Sequence, residues 1–121
     1  MMHDQWPFHF ADPTDPRIAD YEARTADAVL NPEVLRHFAS ADRGGIEVED
    51  RLGEVTSAVL VVAGRHDRTC VVGASESIAA GIRGARLEIF ERSAHMPFVE
   101  EPERYLQVLG DFLRQSMTAS V

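Results

Sequence analysis

Only one cysteine, Cys70, occurs in the sequence, which excludes an internal disulfide and agrees with a reducing compartment. Basic side chains are scarce too, 12 against 20 acidic ones, for a formal net charge of -8. That balance repels phosphate backbones and anionic bilayers, so neither nucleic acid nor a membrane is an expected partner. The longest unbroken apolar run, Ala58 to Ala63, is six residues, far short of a bilayer span. The opening MMHDQWPFHFADP lacks the basic start, apolar stretch and cleavage pattern of a signal peptide, which makes a cytoplasmic location the expectation. Internal repeats and low-complexity tracts are absent as well.

What is present suits a folded domain. Apolar residues make up 45% and charged residues 26% of 121 positions, a globular composition in a chain long enough to bury roughly two thirds of its unfolded surface. Residues 1–45 read as helical. Thr14 or Asp15 before Pro16, and Asn31 before Pro32, are capping residues followed by a proline suited to a first helical turn. Ile18, Tyr21, Thr25 and Val29 follow helical spacing, and Val34, Leu35 and Phe38 mark a second helix that stops before Gly44 and Gly45. Both are amphipathic and need a surface to lie on.

Residues 46–121 alternate strand and helix. AVLVVAG, ending at Gly64, has the continuous apolar character of a strand buried on both faces of a parallel sheet. A helix is predicted from about Val72 to Ile82, with Ala74, Ile78 and Ile82 four apart. A second strand follows from Arg86 to Glu91. Glu101-Pro102-Glu103 opens a last helix whose apolar stripe is Tyr105, Leu106, Leu109, Phe112 and Leu113. The pattern implies an α/β fold built on a right-handed parallel βαβ unit.

Open α/β sheets place their reactive groups in loops at the carboxyl ends of the strands. Two such loops exist here: GRHDRTC, with Asp67, and RSAHMPF, with His95, 28 residues further on. Neighbouring strands lie about 4.8 Å apart, so an acid leaving one and an imidazole leaving the next can come within hydrogen-bond reach. An aspartate bonded to one ring nitrogen sets the tautomer and leaves the other nitrogen free to take a proton. In nucleophile-elbow hydrolases the acid and the histidine follow the serine in that order.

LVVAGRHDRTC followed by FERSAHMPFVEEPERY resembles the carboxyl-terminal part of the α/β-hydrolase family, most closely its proline iminopeptidase (prolyl aminopeptidase) branch. The resemblance runs from about Val48 to Leu113. It implies ester or amide hydrolysis, with Asp67 as the triad acid, His95 as the triad base, and residues 1–45 as the remnant of a helical cap. No cofactor and no metal are implied. Three residues depart from the family pattern: Ala94 stands where glycine usually precedes the histidine, Val71 where proline commonly follows the cysteine, and Arg68 where an acidic group would suit an amino-terminal ammonium.

G-x-S-x-G, the elbow that carries the nucleophile, does not occur. Ser40 lies in FASAD, Ser57 enters the first strand at its wrong end, and Ser75 and Ser77 follow the acid instead of preceding it. The expectation is therefore a carboxyl-terminal piece of a serine hydrolase, inactive alone. The alternative is a non-catalytic module that reuses the βαβ half-fold for docking or self-association. Either way the first strand would carry an unpaired edge, and self-association through it, or pairing with a chain that supplies the missing half, is the expected partnership. Cys70 reads as a small packing residue in preference to a substitute nucleophile. His3, Asp4, His9 and Asp12, or His66 with Asp67 and His95, match no structural zinc spacing. Glu100, Glu101 and Glu103 are explained as charges favourable at a helix start.

Overall fold

The computed structural model describes residues 3–29, 31–40 and 47–118, with side chains from Trp6 onward. At its centre β1 (Leu60–Gly64) and β2 (Arg86–Phe90) pair in parallel, Leu60 opposite Arg86 and Gly64 opposite Phe90. Parallel strands cannot be joined by a tight turn, and α3 (Val72–Gly81) makes the crossover. β1 starts later than the sequence predicts: Ala58 is exposed, and the first ladder contact is Arg86 N–H to the Val59 carbonyl at 3.0 Å. After β2 the chain forms a short helix α4 (Pro97–Glu100) and a long one, α5 (Pro102–Thr118). Each opens on a proline, whose fixed φ suits a first turn and whose missing N–H is not needed there.

Two apolar stripes differ from expectation. On α5, Val108 is buried, with Tyr105, Leu109 and Phe112 half-buried around it, while Leu106 and Leu113 are exposed. The inward line thus runs 105, 108, 109, 112, the i, i+3, i+4, i+7 spacing of one helix face, and Leu106 and Leu113 fall beside it. On α3, only Ile82, just past the helix end, is buried; Ala74 and Ile78 are exposed. They border an open groove between α3 and a 3-10 segment, Glu49–Glu54, that was not foreseen.

Upstream, a 3-10 turn (His3–His9) leads into α1 (Arg17–Thr25) and α2 (Pro32–Ser40). Asp15 Oδ1 accepts the Arg17 N–H at 2.9 Å, and Asn31 Oδ1 accepts those of Glu33 and Val34 at 2.9 and 3.3 Å. Asn31 thus caps α2 as its sequence signal requires, whereas Pro16 occupies the cap of α1 without a side-chain bond and Asp15 closes the turn just before it. Val29, however, does not extend the first helix: α1 ends at Thr25, and Val29 is 95% exposed. Gly44 and Gly45 lie outside the described residues. α1 packs through Ile18, which joins Phe10 and Met96 in a buried cluster flanked by Trp6, Tyr21 and Val99. α2 buries nothing, and its Val34, Leu35 and Phe38 face solvent. Among the described residues no helix is long and apolar enough to cross a membrane.

Candidate active site

The two loops leaving the sheet are tied to each other before any side chain is considered. Arg65 N–H donates to the Phe90 carbonyl and His66 N–H to the Ser93 carbonyl, each at 2.9 Å. Gly64 makes this possible. A Cβ there would stand 1.9 Å from the Ala94 carbonyl oxygen and 2.6 Å from that of Ser93, so only glycine lets the end of β1 approach the histidine turn so closely.

Asp67 sits at the first turn beyond β1, its N–H directed to the Gly64 carbonyl at 3.2 Å. Its two oxygens have separate tasks. Oδ1 accepts the backbone N–H groups of Thr69 and Cys70, at 2.8 and 2.9 Å, and Oδ2 lies 2.8 Å from His95 Nδ1. The side chain is 7% exposed and that of His95 35%. Burial pushes the Asp67 carboxyl up, but the Cys70 N–H, the His95 ring, the Thr69 N–H and the charge of His95 together hold it below the usual aspartate value. An ionised carboxylate only accepts, so Nδ1 carries the proton toward Asp67, and in the neutral imidazole the lone pair lies on Nε2.

Beyond Asp67, His95 is held by the amino-terminal segment, and its turn by the glutamates that follow. Its backbone N–H donates to the His9 carbonyl at 2.8 Å, and the His9 ring meets its ring edge-on, centroids 5.3 Å apart. Glu100 accepts the Ala11 N–H on Oε1 at 2.7 Å and the Ala94 N–H on Oε2 at 2.8 Å, joining the amino-terminal segment to the turn that carries the histidine. Arg17 completes the joint by donating to the carbonyls of Val99 and Glu100, at 3.0 and 2.8 Å. Glu101, buried, accepts the Ser93 hydroxyl at 2.7 Å and the Arg92 N–H at 3.1 Å. Burial raises its carboxyl, yet the Ser93 hydroxyl, the Arg92 N–H and nearby arginines bring it below the usual glutamate value. Glu100 and Glu101 are thus more than charges at a helix start, which is how their sequence position reads. They fasten the histidine loop, and only their clustering hinted at it.

The remaining candidates fall on either side of this site. Cys70 lies beside Asp67 and is exposed. His66 is exposed. Asp12 turns to its own Thr14, accepting both N–H and hydroxyl; His3 and Asp4 have side chains outside the described residues. The hydroxyls of Ser40 and Ser77 donate to helical carbonyls of His37 and Gly73. Arg68 reaches the Phe10 carbonyl at 3.1 Å and so points at the amino-terminal segment. The His95 ring, Asp67 and Cys70 line an open cleft of about 440 Å³ whose walls include Val61, Phe98 and Tyr105. Val62, Ala63 and Gly64 of β1 also line it, and β2 is that strand's one neighbour among the described residues.

This sheet, crossover and loop arrangement recurs in solved hydrolases. An α/β-fold hydrolase from Bacillus anthracis str. Sterne superposes with a TM-score of 0.80 over 92% of this chain and 39% of its own, at 24% identity. An esterase from Exiguobacterium antarcticum gives a TM-score of 0.72 over 93% and 41%, at 26% identity. The chain has a partial α/β-hydrolase fold. No protein-family profile matches this chain, but curated proteins do. The proline iminopeptidase of Heyndrickxia coagulans is 41% identical over 63 residues, 52% of this chain and 22% of its own. The 2-hydroxy-6-oxo-6-phenylhexa-2,4-dienoate hydrolase of Comamonas testosteroni is 36% identical over 89 residues, 70% and 31% respectively. The chain therefore spans between about a fifth and a third of the length of these relatives.

Proposed function

We propose that this chain supplies the acid and base of a serine hydrolase acting on ester or amide bonds, with Asp67 and His95 as the pair and proline-iminopeptidase-like chemistry as the nearest parallel. The observation that carries the reading is the 2.8 Å contact between Asp67 Oδ2 and His95 Nδ1. It leaves Nε2 as the basic atom, as proton transfer from a serine requires. Asp67 orients the ring and stabilises the imidazolium formed when Nε2 takes the proton; His95 then returns it to the leaving group. The names of the sequence relatives support hydrolysis as the reaction class. In this reading residues 1–45 descend from a cap over the pocket, and the nucleophile and oxyanion donors come from strands outside this 121-residue sequence, which has no G-x-S-x-G.

The test is reconstitution. The chain alone should not hydrolyse proline arylamides or short acyl esters above background. Mixed or co-expressed with a polypeptide carrying the early strands and G-x-S-x-G elbow of a proline iminopeptidase, it should restore turnover, and His95→Ala should remove it. Restored activity indifferent to His95→Ala would reject the assignment.

A further inference from the structure

We infer that Asp67, Cys70 and His95 form a binding site for a thiophilic divalent cation, with Zn²⁺ as the fitting ion. This goes beyond the hydrolytic reading and does not depend on it. A carboxylate oxygen of Asp67, the Cys70 sulfur and a ring nitrogen of His95 all lie within 4.8 Å of one another. By sequence His66 with Asp67 and His95 matches no structural zinc spacing; in the fold His66 is exposed, and it is Cys70 whose sulfur lies near the pair.

Geometry and charge both suit the ion. Zinc bonds of about 2.0 Å to oxygen or nitrogen and 2.3 Å to sulfur place neighbouring tetrahedral donors roughly 3.3–3.6 Å apart. Asp67 Oδ2 and His95 Nδ1, 2.8 Å apart, must separate by about 0.5 Å as the ion replaces their hydrogen bond, while the Cys70 sulfur, within 4.8 Å of a donor atom of each, must approach by up to about one ångström, which a rotamer change of the exposed side chain can supply. Its backbone does not need to move, being pinned by the Cys70 N–H to Asp67 Oδ1. On binding, the Cys70 thiol releases its proton to solvent and the imidazole proton passes through solvent from Nδ1 to Nε2, so Nδ1 gains the lone pair it donates and the two negative charges of thiolate and carboxylate match the divalent cation. One sulfur, one imidazole and one carboxylate select zinc over magnesium or calcium, which require more oxygen ligands. The fourth position opens on the cleft, where water can occupy it. Because coordination uses a ring nitrogen of His95, a metal-bound His95 cannot serve as a base. Zinc and the acid–base pair are thus mutually exclusive occupants of one site.

Cobalt(II), added to the metal-free full chain, is the probe. Binding should saturate at one equivalent per chain, with a thiolate-to-cobalt charge-transfer band in the near ultraviolet and visible bands of four-coordinate intensity, all displaced by zinc. Cys70→Ser should abolish the charge-transfer band, and both Cys70→Ser and His95→Gln should weaken zinc binding by at least about tenfold. His37→Gln, at an exposed position on α2, should leave affinity unchanged. Folding of each variant is checked by circular dichroism, and protection of Cys70 from iodoacetamide by zinc gives a second readout in the unaltered chain. Saturated cobalt without the charge-transfer band, zinc affinity insensitive to Cys70→Ser or to His95→Gln, or alkylation of Cys70 at an unchanged rate in zinc would each overturn the site.

Discussion

Asp67 shows how much one carboxylate can organise. Through Oδ1 it closes its own turn by accepting two N–H groups, and through Oδ2 it holds the ring of a residue 28 positions away. The two roles separate under mutation. Asp67→Asn keeps an oxygen for Thr69 and Cys70, but presents either a second donor or no acceptor to Nδ1, so the imidazole should change tautomer while the loop survives. Nitrogen chemical shifts of His95 report this directly. Asp67→Ala loses all three bonds and should destabilise the chain by about 2–4 kcal/mol, since bonds to a charged acceptor are each worth about 1.5–3 kcal/mol and partly regain water. The native carboxyl sits below its ordinary value, so its contribution is fully present above the unfolded aspartate pKa of about 3.9 and is lost as pH falls from there through the native value. Urea midpoints taken between neutral pH and pH 2.5 should accordingly drop more steeply for the wild type than for Asp67→Asn. Parallel acid profiles would show that the lowered pKa carries no stability.

At the level of elements, Glu100 is the joint between the amino-terminal segment and the histidine turn, since one carboxylate receives both Ala11 N–H and Ala94 N–H. Glu100→Ala should free residues 6–25 while leaving the sheet intact. Hydrogen exchange should then speed up at Ala11 and within α1, with the Val61 to Gly64 amides unchanged; acceleration that spreads equally to β1 would mean that the two parts unfold as one. This joint was illegible in the sequence, because it connects residues 89 positions apart and a glutamate near a helix start already has a local explanation. The strands were legible for the opposite reason. Ala58 to Gly64 is one continuous apolar run and Arg86 to Phe90 a short β-prone stretch before a turn, so both strands were legible to within two residues at their ends, and the acid and histidine follow from where they stop. The errors on α3, α5 and at Val29 share one cause. Apolar spacing shows which face of a helix could be buried, but a partner surface decides whether it is, and Ile78, Leu106 and Leu113 have none that covers them.

That shortage of cover is a property of the whole molecule. A folded monomer of 13.4 kDa exposes roughly 6,500 Å², whereas this chain exposes 9052 Å². The difference, about 2,500 Å², exceeds the roughly 800 Å² that each partner contributes to a stable interface. Much of the uncovered surface is apolar: Phe38, Ile78, Leu106, Leu113 and Met117 are all exposed, and β1 has β2 on one side only among the described residues. An apolar strand with a free edge, no internal charge and no proline is a template for pairing. In isolation the chain should therefore associate with itself, two β1 strands meeting antiparallel about a two-fold axis. Light scattering at micromolar concentration should give a mass of at least twice 13.4 kDa, and Val61→Lys, which places a charge on that strand, should shift it towards the monomer. Adding a polypeptide with the early hydrolase strands should compete, replacing the self-complex by a one-to-one pair, because both occupants need the same edge. A cooperatively folded wild-type monomer at these concentrations would show that the amino-terminal helices already protect β1, and that the excess surface is not an interface.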